Sequence, residues 1–255
     1  MTKKHLLTCS VILVISIISG LNIFGRNIKK SKKTTPQSSV GYSKFLFRND
    51  DYFNDFSFAN EALPIQNSKV NHKLQHSLDV HNYKNIRSYI LLDKAAKIFP
   101  VIEPILKAYH IPDDFKYVAL VESGFGEGKS SKGARGLWQF LPGSARTYGL
   151  KVGHKVDERM DMRKSTVAAC RYFAELYTEF NSWTLAAAAY NNGEIKLAKT
   201  INEQKEDNYF RMHLNTETGL YIYNVIAMKD IISHPEQYGY KNYIKFTPLN
   251  LMAYN

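Results

Sequence analysis

From about residue 86 onward, apolar residues recur at helical spacing, and almost nowhere do they alternate with the period of a strand. "SYILLDKAAKIFPVIEPILKAYH" (88–110) is apolar at helical spacing and is expected to break near Pro100 and Pro104, where a proline removes a backbone donor. "PDDFKYVALVES" (112–123) predicts a helix over 113–122 that opens at Pro112-Asp113-Asp114. "PGSARTYG" (142–149) reads as a short helix. "RKSTVAACRYFAELYTEF" (163–180) sets Ala169, Tyr172, Phe173, Leu176 and Phe180 on one face. "SWTLAAAAYNNG" (182–193) starts on a Ser cap and stops at Gly193. "EIKLAKTINE" (194–203) and the long "TETGLYIYNVIAMKDIISHP" (216–235) complete the series. The expected class is all-α, helices packed on helices, with no internal repeat.

The first 85 residues differ in character. Residues 6–24 are uncharged and about as long as a bilayer is thick, with Lys3 and Lys4 before them. Residues 1–25 therefore predict a membrane anchor or a cleaved signal. The anchor is preferred, because the run is long and no small-x-small cleavage site follows it. Five basic residues just after the run argue, by the positive-inside tendency, for a cytoplasmic C-terminal part. The functional reading below puts that part outside the cytoplasm. Residues 26–42 read as a basic, then Thr/Pro/Ser/Gly-rich linker, and 43–84 as an irregular aromatic arm that packs on the domain. The domain is expected at 86–240 and a tail at 241–255.

Charge changes the picture only slightly. The chain carries +11, but residues 1–33 hold seven basic residues and no acid, which leaves +4 for the remainder. That balance suits an acidic polymer, and no Arg/Lys–aromatic repeat points to nucleic acid. Of the two cysteines, Cys9 lies in the apolar run and Cys170 in a helix, where it reads as a small buried residue.

The candidate chemistry centres on Glu122. In the helix at 113–122, Phe115, Val118 and Ala119 form an i, i+3, i+4 stripe, and its next member is Glu122. A carboxyl stands where a core residue belongs. Burial and the negative end of the helix would both raise its pKa, as a general acid requires. The alternatives are a Glu that leaves the helix into solvent, or one paired with Arg. The loop that follows, "GFGEGKSSKGARG" (124–136), is not a phosphate loop: Ser123 stands where its first glycine belongs, and a helix precedes it instead of a strand. Trp138 and Gln139 together suit a sugar, while Trp138 alone would be read as core. His72 and His76 have a zinc-compatible spacing but lack the Glu of a metalloprotease motif, and read as solvated. No metal or other cofactor is called for.

"ESGF" (122–125), "GARGLWQF" (133–140) and "AYNNG" (189–193), in this order and spacing, resemble the catalytic domain of lytic transglycosylases, the lysozyme-like SLT enzymes of glycoside hydrolase family 23. The membrane-bound transglycosylase D group is the most similar type. "PGSARTYGL" (142–150), "DERMD" (157–161), "ETGLY" (217–221) and "PEQYGY" (235–240) extend the resemblance over about 86–240. The loop "GEGKSSKG" departs from the usual Asn-Pro form, Asn192 replaces a frequent Ser or Ala, and Ile222-Tyr223 replaces Val-Pro. The short tail leaves no room for the LysM repeats that often follow in that group.

The resemblance implies cleavage of the β-1,4 bond between N-acetylmuramic acid and N-acetylglucosamine of peptidoglycan, in the bacterial envelope. It assigns Glu122 as the general acid, and then the base that lets the muramic 6-hydroxyl attack its own anomeric carbon. It also implies that Ser123 and Gln139 hold sugar or N-acetyl groups. Tyr190 would place its hydroxyl near the reacting centre, Asn191 would bind substrate or order the loop, and Tyr221 would face Glu122. Tyr190 and Tyr221 read alternatively as core tyrosines. Asp157, Arg159 and Asp161 of "DERMD" read as a structural charge cluster. Two rivals remain: a hydrolytic muramidase of the same fold, and a non-catalytic peptidoglycan-binding protein.

Overall fold

The computed structural model describes residues 56–86, 89–124 and 133–241. The expected membrane segment at 6–24, the linker and most of the tail lie outside these residues. No helix among the described residues is long and apolar enough to cross a membrane.

The described chain is helical apart from one small hairpin. Strands β1 (Ser57–Phe58) and β2 (Glu61–Ala62) pair antiparallel across Ala59-Asn60. Both loop residues have positive φ, 51° and 66°, the conformation of a two-residue hairpin turn. Helices α1 (Ser68–His81), α2 (Tyr83–Ile86), α3 (Ile90–Ala108), α4 (Phe115–Ser123) and α5 (Pro142–Thr147) follow. After a 3-10 turn at Glu158–Met160 come α6 (Met162–Phe180), α7 (Trp183–Asn192), α8 (Glu194–Gln204) and α9 (Thr218–Ser233). A last 3-10 turn, Pro235–Tyr238, precedes the tail.

Helix α9 is the hub. It is apolar on nearly every face, with Tyr221, Ile222, Tyr223, Val225, Ile226, Met228 and Ile231 all buried. It packs on α1, α4 and α7, while α6 packs on α3 and α7. The stripe expected on α6 is buried at Ala169, Tyr172, Phe173 and Leu176, and Phe180 lies half-buried at its end. Asp161 caps α6, accepting from the Lys164 amide at 2.9 Å, and Ser182 caps α7, accepting from the Leu185 amide at 3.2 Å.

Three expectations need correction. Helix α3 does not break: it runs through Pro100 and Pro104. Both prolines are exposed, so water can satisfy the carbonyls they orphan. The opposite face buries Leu91, Leu92, Ala95, Ile98, Ile102 and Leu106, which holds the helix together. The helix predicted from residue 113 begins at Phe115. Asp114 is used elsewhere, its Oδ2 accepting from the Ala59 amide at 2.7 Å and from Lys229 Nζ at 2.8 Å. Finally, the arm at 43–84 is not irregular throughout. Residues 68–81 form α1, which buries Val70, Leu74 and Leu78 and lies along α9. Asn67 caps it, its side-chain oxygen accepting from the Lys69 and Val70 amides at 3.0 and 3.4 Å.

The hairpin also pins α7. Glu61 accepts from the Trp183 and Thr184 amides at 2.5 and 2.9 Å and from the Ser182 hydroxyl at 2.8 Å. A carboxylate from a segment over a hundred residues upstream thus sits on the positive end of a buried helix.

Candidate active site

Glu122 lies in the last turn of α4. That helix is buried at Phe115, Tyr117, Val118, Ala119 and Leu120, and Glu122 itself is only 8% exposed. Glu122 does not turn out to solvent. Its recorded partner is an uncharged hydroxyl: Tyr221 of α9 donates to Oε1 at 2.6 Å. Burial pushes the carboxyl up to about 7. The Tyr221 hydrogen bond, which favours the anion, opposes the rise, and the charge of Glu217 adds to it.

The expected contribution of the negative helix end is offset. Lys94 reaches from α3 to donate to the carbonyls of Ser123 and Gly124, at 3.1 and 2.9 Å. An ammonium therefore occupies the end of α4. Gly124 ends the helix with φ +53°, a value that glycine adopts without strain.

Burial of Tyr190 near the end of α7 drives its pKa well up, and the charge of Glu122 adds to the rise. Its hydroxyl donates to the Trp138 carbonyl at 2.6 Å, so the phenol is fixed against the 133–140 loop. Of the two readings for Trp138, core packing holds. The indole is fully buried, donates to Thr166 Oγ1 at 2.9 Å and meets the Phe173 ring edge-on. Gln139, 8% exposed, has φ 46° and turns its amide back to the Gly136 carbonyl at 2.8 Å. The loop is held from below by Arg159, which donates to the Gly133 and Phe140 carbonyls at 2.8 and 3.0 Å. Arg159 also pairs with Asp157 at 2.7 Å, and this bond holds the Asp157 carboxyl below its usual range. The "DERMD" cluster is structural, as its composition suggested.

Asn191 lies in a polar network at the junction of α7 and α9. Its Oδ1 accepts from Thr218 Oγ1 at 3.0 Å, and its Nδ2 donates to Glu217 at 3.3 Å. Asn215 ties the same junction, donating to Asn192 at 3.1 Å and to Thr218 at 3.0 Å. Of the candidates, the structure joins Glu122 directly to Tyr221, brings Tyr190 within electrostatic reach of both, and links Asn191 to the same end of α9. Ser123 is not joined to them by a side-chain bond. Its hydroxyl donates to its own helix at Leu120, 3.3 Å away.

Two residues escaped the sequence reading: Lys94 and Glu217. No carboxylate stands in the motifs beside Trp138 or Tyr190, yet Glu217, first residue of the quoted "ETGLY", precedes Tyr221 by one helical turn and so shares its face. That spacing was the signal available. Lys94 had none, because it sits near the start of α3 in a segment with no motif. His72 and His76 are both exposed on α1, and Cys170 is fully buried, its thiol pushed up to about 12.

A largely helical domain that keeps one carboxyl buried, raised to about 7 and bonded to a tyrosine has the parts of a general acid–base site. Residues 100–212 match the model of the transglycosylase SLT domain. Over 140 residues, 52% of this chain, it is 33% identical to the membrane-bound lytic murein transglycosylase D of Escherichia coli strain K12, and equally to that of strain O6:H1. It is also 33% identical over 98 residues to a protein of Alteromonas sp. strain M-1 named for tributyltin chloride resistance, covering 47% of that protein. The match covers 31% of the length of the Escherichia coli relatives.

Proposed function

We propose that the chain is a peptidoglycan lytic transglycosylase with a lysozyme-like helical fold. It would cleave the β-1,4 bond between N-acetylmuramic acid and N-acetylglucosamine and leave 1,6-anhydromuramic ends. The observation that carries this reading is the carboxyl of Glu122, buried, raised to about 7 and bonded to Tyr221, within a chain that matches the SLT family.

The protonated Glu122 gives its proton to the glycosidic oxygen as the bond to the anomeric carbon breaks. The resulting anion then takes the proton of the muramic 6-hydroxyl as that oxygen bonds to the anomeric carbon. Glu122 ends protonated, no water is consumed, and no carboxylate nucleophile is needed, unlike the two-carboxylate scheme. A pKa near neutrality serves both halves, since one group must be acid and then base. Tyr221 steadies the anion between the steps. Tyr190, Asn191, Ser123 and Gln139 are assigned to holding the sugars or the loop around them. The substrate places the protein in the bacterial envelope, exported, with residues 6–24 as the membrane attachment.

Glu217 gives the hydrolytic alternative a specific residue. A second carboxylate near the acid could direct a water molecule instead. Mass spectrometry of the products released from purified peptidoglycan by the full chain, beside Glu122→Gln, separates the readings. Muropeptides lighter by one water than hydrolysis products are expected, and none from the variant. Ordinary reducing ends would make the protein a muramidase. No release by folded, polymer-binding wild type would leave a binding protein.

A further inference from the structure

A second concavity lies away from Glu122, between the turn after α5 and the first half of α6, with a volume of about 290 Å³. That is close to the lower size of small-ligand sites. Its wall on α6 carries Arg163, Val167 and Arg171, spaced four apart on one face, with Lys164 beside them. Lys164 is already paired: it donates to Glu158 Oε1 at 2.7 Å, while the other oxygen of Glu158 accepts from the Lys151 amide at 2.7 Å. The acid in the wall is therefore neutralised, and the two guanidinium groups set the sign of the pocket.

Arg171 is seated by the backbone. Its Nη1 reaches the Tyr148 carbonyl at 3.5 Å, over Gly149, where a Cβ would stand 3.2 Å from the same nitrogen. Gly149 also has φ +92°, so a glycine serves there both for the turn and for the room it leaves. The floor is apolar, formed by Leu150 and Val167. Tyr148 forms the rim, its hydroxyl donated to Glu175 at 3.0 Å. From Tyr148 the ring of Tyr172 is 4.6 Å away, stacked, and Tyr190 is 5.3 Å beyond that. The pocket thus stands two ring contacts from the candidate active site.

We propose that this pocket holds a carboxylate of a peptide stem carried by the glycan polymer, with the methyl of an adjacent alanine on the Leu150–Val167 floor. This rests on the glycan-cleaving function proposed above. Planar guanidinium groups match a carboxylate in two-point geometry, and the apolar floor suits a small side chain better than it suits a phosphate. A four-residue stem extends up to about 13 Å, enough to bridge from a sugar near Tyr190.

The test is fluorescence anisotropy of a labelled stem tetrapeptide with free carboxylates, titrated with the full chain and with Arg163→Gln/Arg171→Gln. Both arginines are exposed, so the fold should survive, and thermal unfolding checks this. The variant should bind roughly tenfold more weakly. The Arg163→Lys/Arg171→Lys pair should recover part of the loss. The peptide with its carboxylates amidated should bind wild type no better than the Gln variant binds the acid. Equal binding by wild type and the Gln variant would overturn the assignment. So would stronger competition by inorganic phosphate than by acetate, or retention on anionic lipid vesicles without peptide binding. Product release from peptidoglycan, run in parallel, keeps the two readings apart. Normal release with unchanged peptide binding sinks the pocket alone, and lost binding with no Glu122-dependent release sinks the reaction alone.

Discussion

Replacing Glu122 by Gln should stabilise the fold, and only at high pH. An unfolded chain titrates this carboxyl near 4.5, the fold near 7. Below 4.5 both states hold the proton and burial of the neutral acid costs little. As pH rises towards 7, the unfolded state gives up its proton first, so the fold loses stability relative to it. Above 7 the fold must keep a buried anion. The gap corresponds to about 3 kcal/mol at pH 8 and nearly nothing at pH 4. Gln is close in shape to the protonated acid and keeps an oxygen to accept from Tyr221, so it should not suffer this loss. For a domain of this size the difference in Tm between variant and wild type should widen by ~6–12 °C from pH 4 to pH 8. Thermal unfolding of both proteins at the two pH values reads it, and other titrating groups cancel in the comparison. A difference that changes by less than about 1 kcal/mol across that window would mean that Glu122 is solvated or paired with a cation. The general-acid argument would then lose its physical basis.

Three further outcomes follow from the same geometry. Glu217→Gln removes a negative charge that raises the Glu122 pKa, so the alkaline limb of the pH–rate profile should move to lower pH; an unmoved limb would separate the two carboxyls electrostatically. Tyr221→Phe removes a bond that favours the Glu122 anion by about 1.5–3 kcal/mol, so the same limb should move to higher pH, the opposite direction. Gly136→Ala would set a Cβ 1.8 Å from the Arg159 carbonyl oxygen at φ +79°, and should cost at least about 3 kcal/mol in urea unfolding; a small loss would mean that the 133–140 loop is not fixed to Arg159.

The helical period and the cap residues carried most of the fold. Ser182 and Gly193 bound α7 where they stood, because caps act within one turn of their own residue. Pro100 and Pro104 misled for the same reason: a local rule predicts a break, and burial of the opposite face of α3 outweighs it. The residues around Asn67 hid α1, whose stripe gains its meaning only against α9. At the site, the stripe that ends at Glu122 marked a carboxyl in a core position, and this needed only neighbours in sequence. Tyr221 opposite it came from motif resemblance, since nothing within α9 alone distinguishes it from Tyr223.

What the sequence by itself determined is therefore short-range: which segments wind into helices, where they stop, and which face of α4 holds an acid. What surrounds that acid was decided in three dimensions. Lys94 at the end of α4, Glu217 bonded to Asn191, Glu61 on the start of α7 and the burial of Trp138 against Thr166 all join residues far apart in the chain. Propensity and capping act over one helical turn, whereas desolvation and charge act across space, and it is these that set the protonation of Glu122.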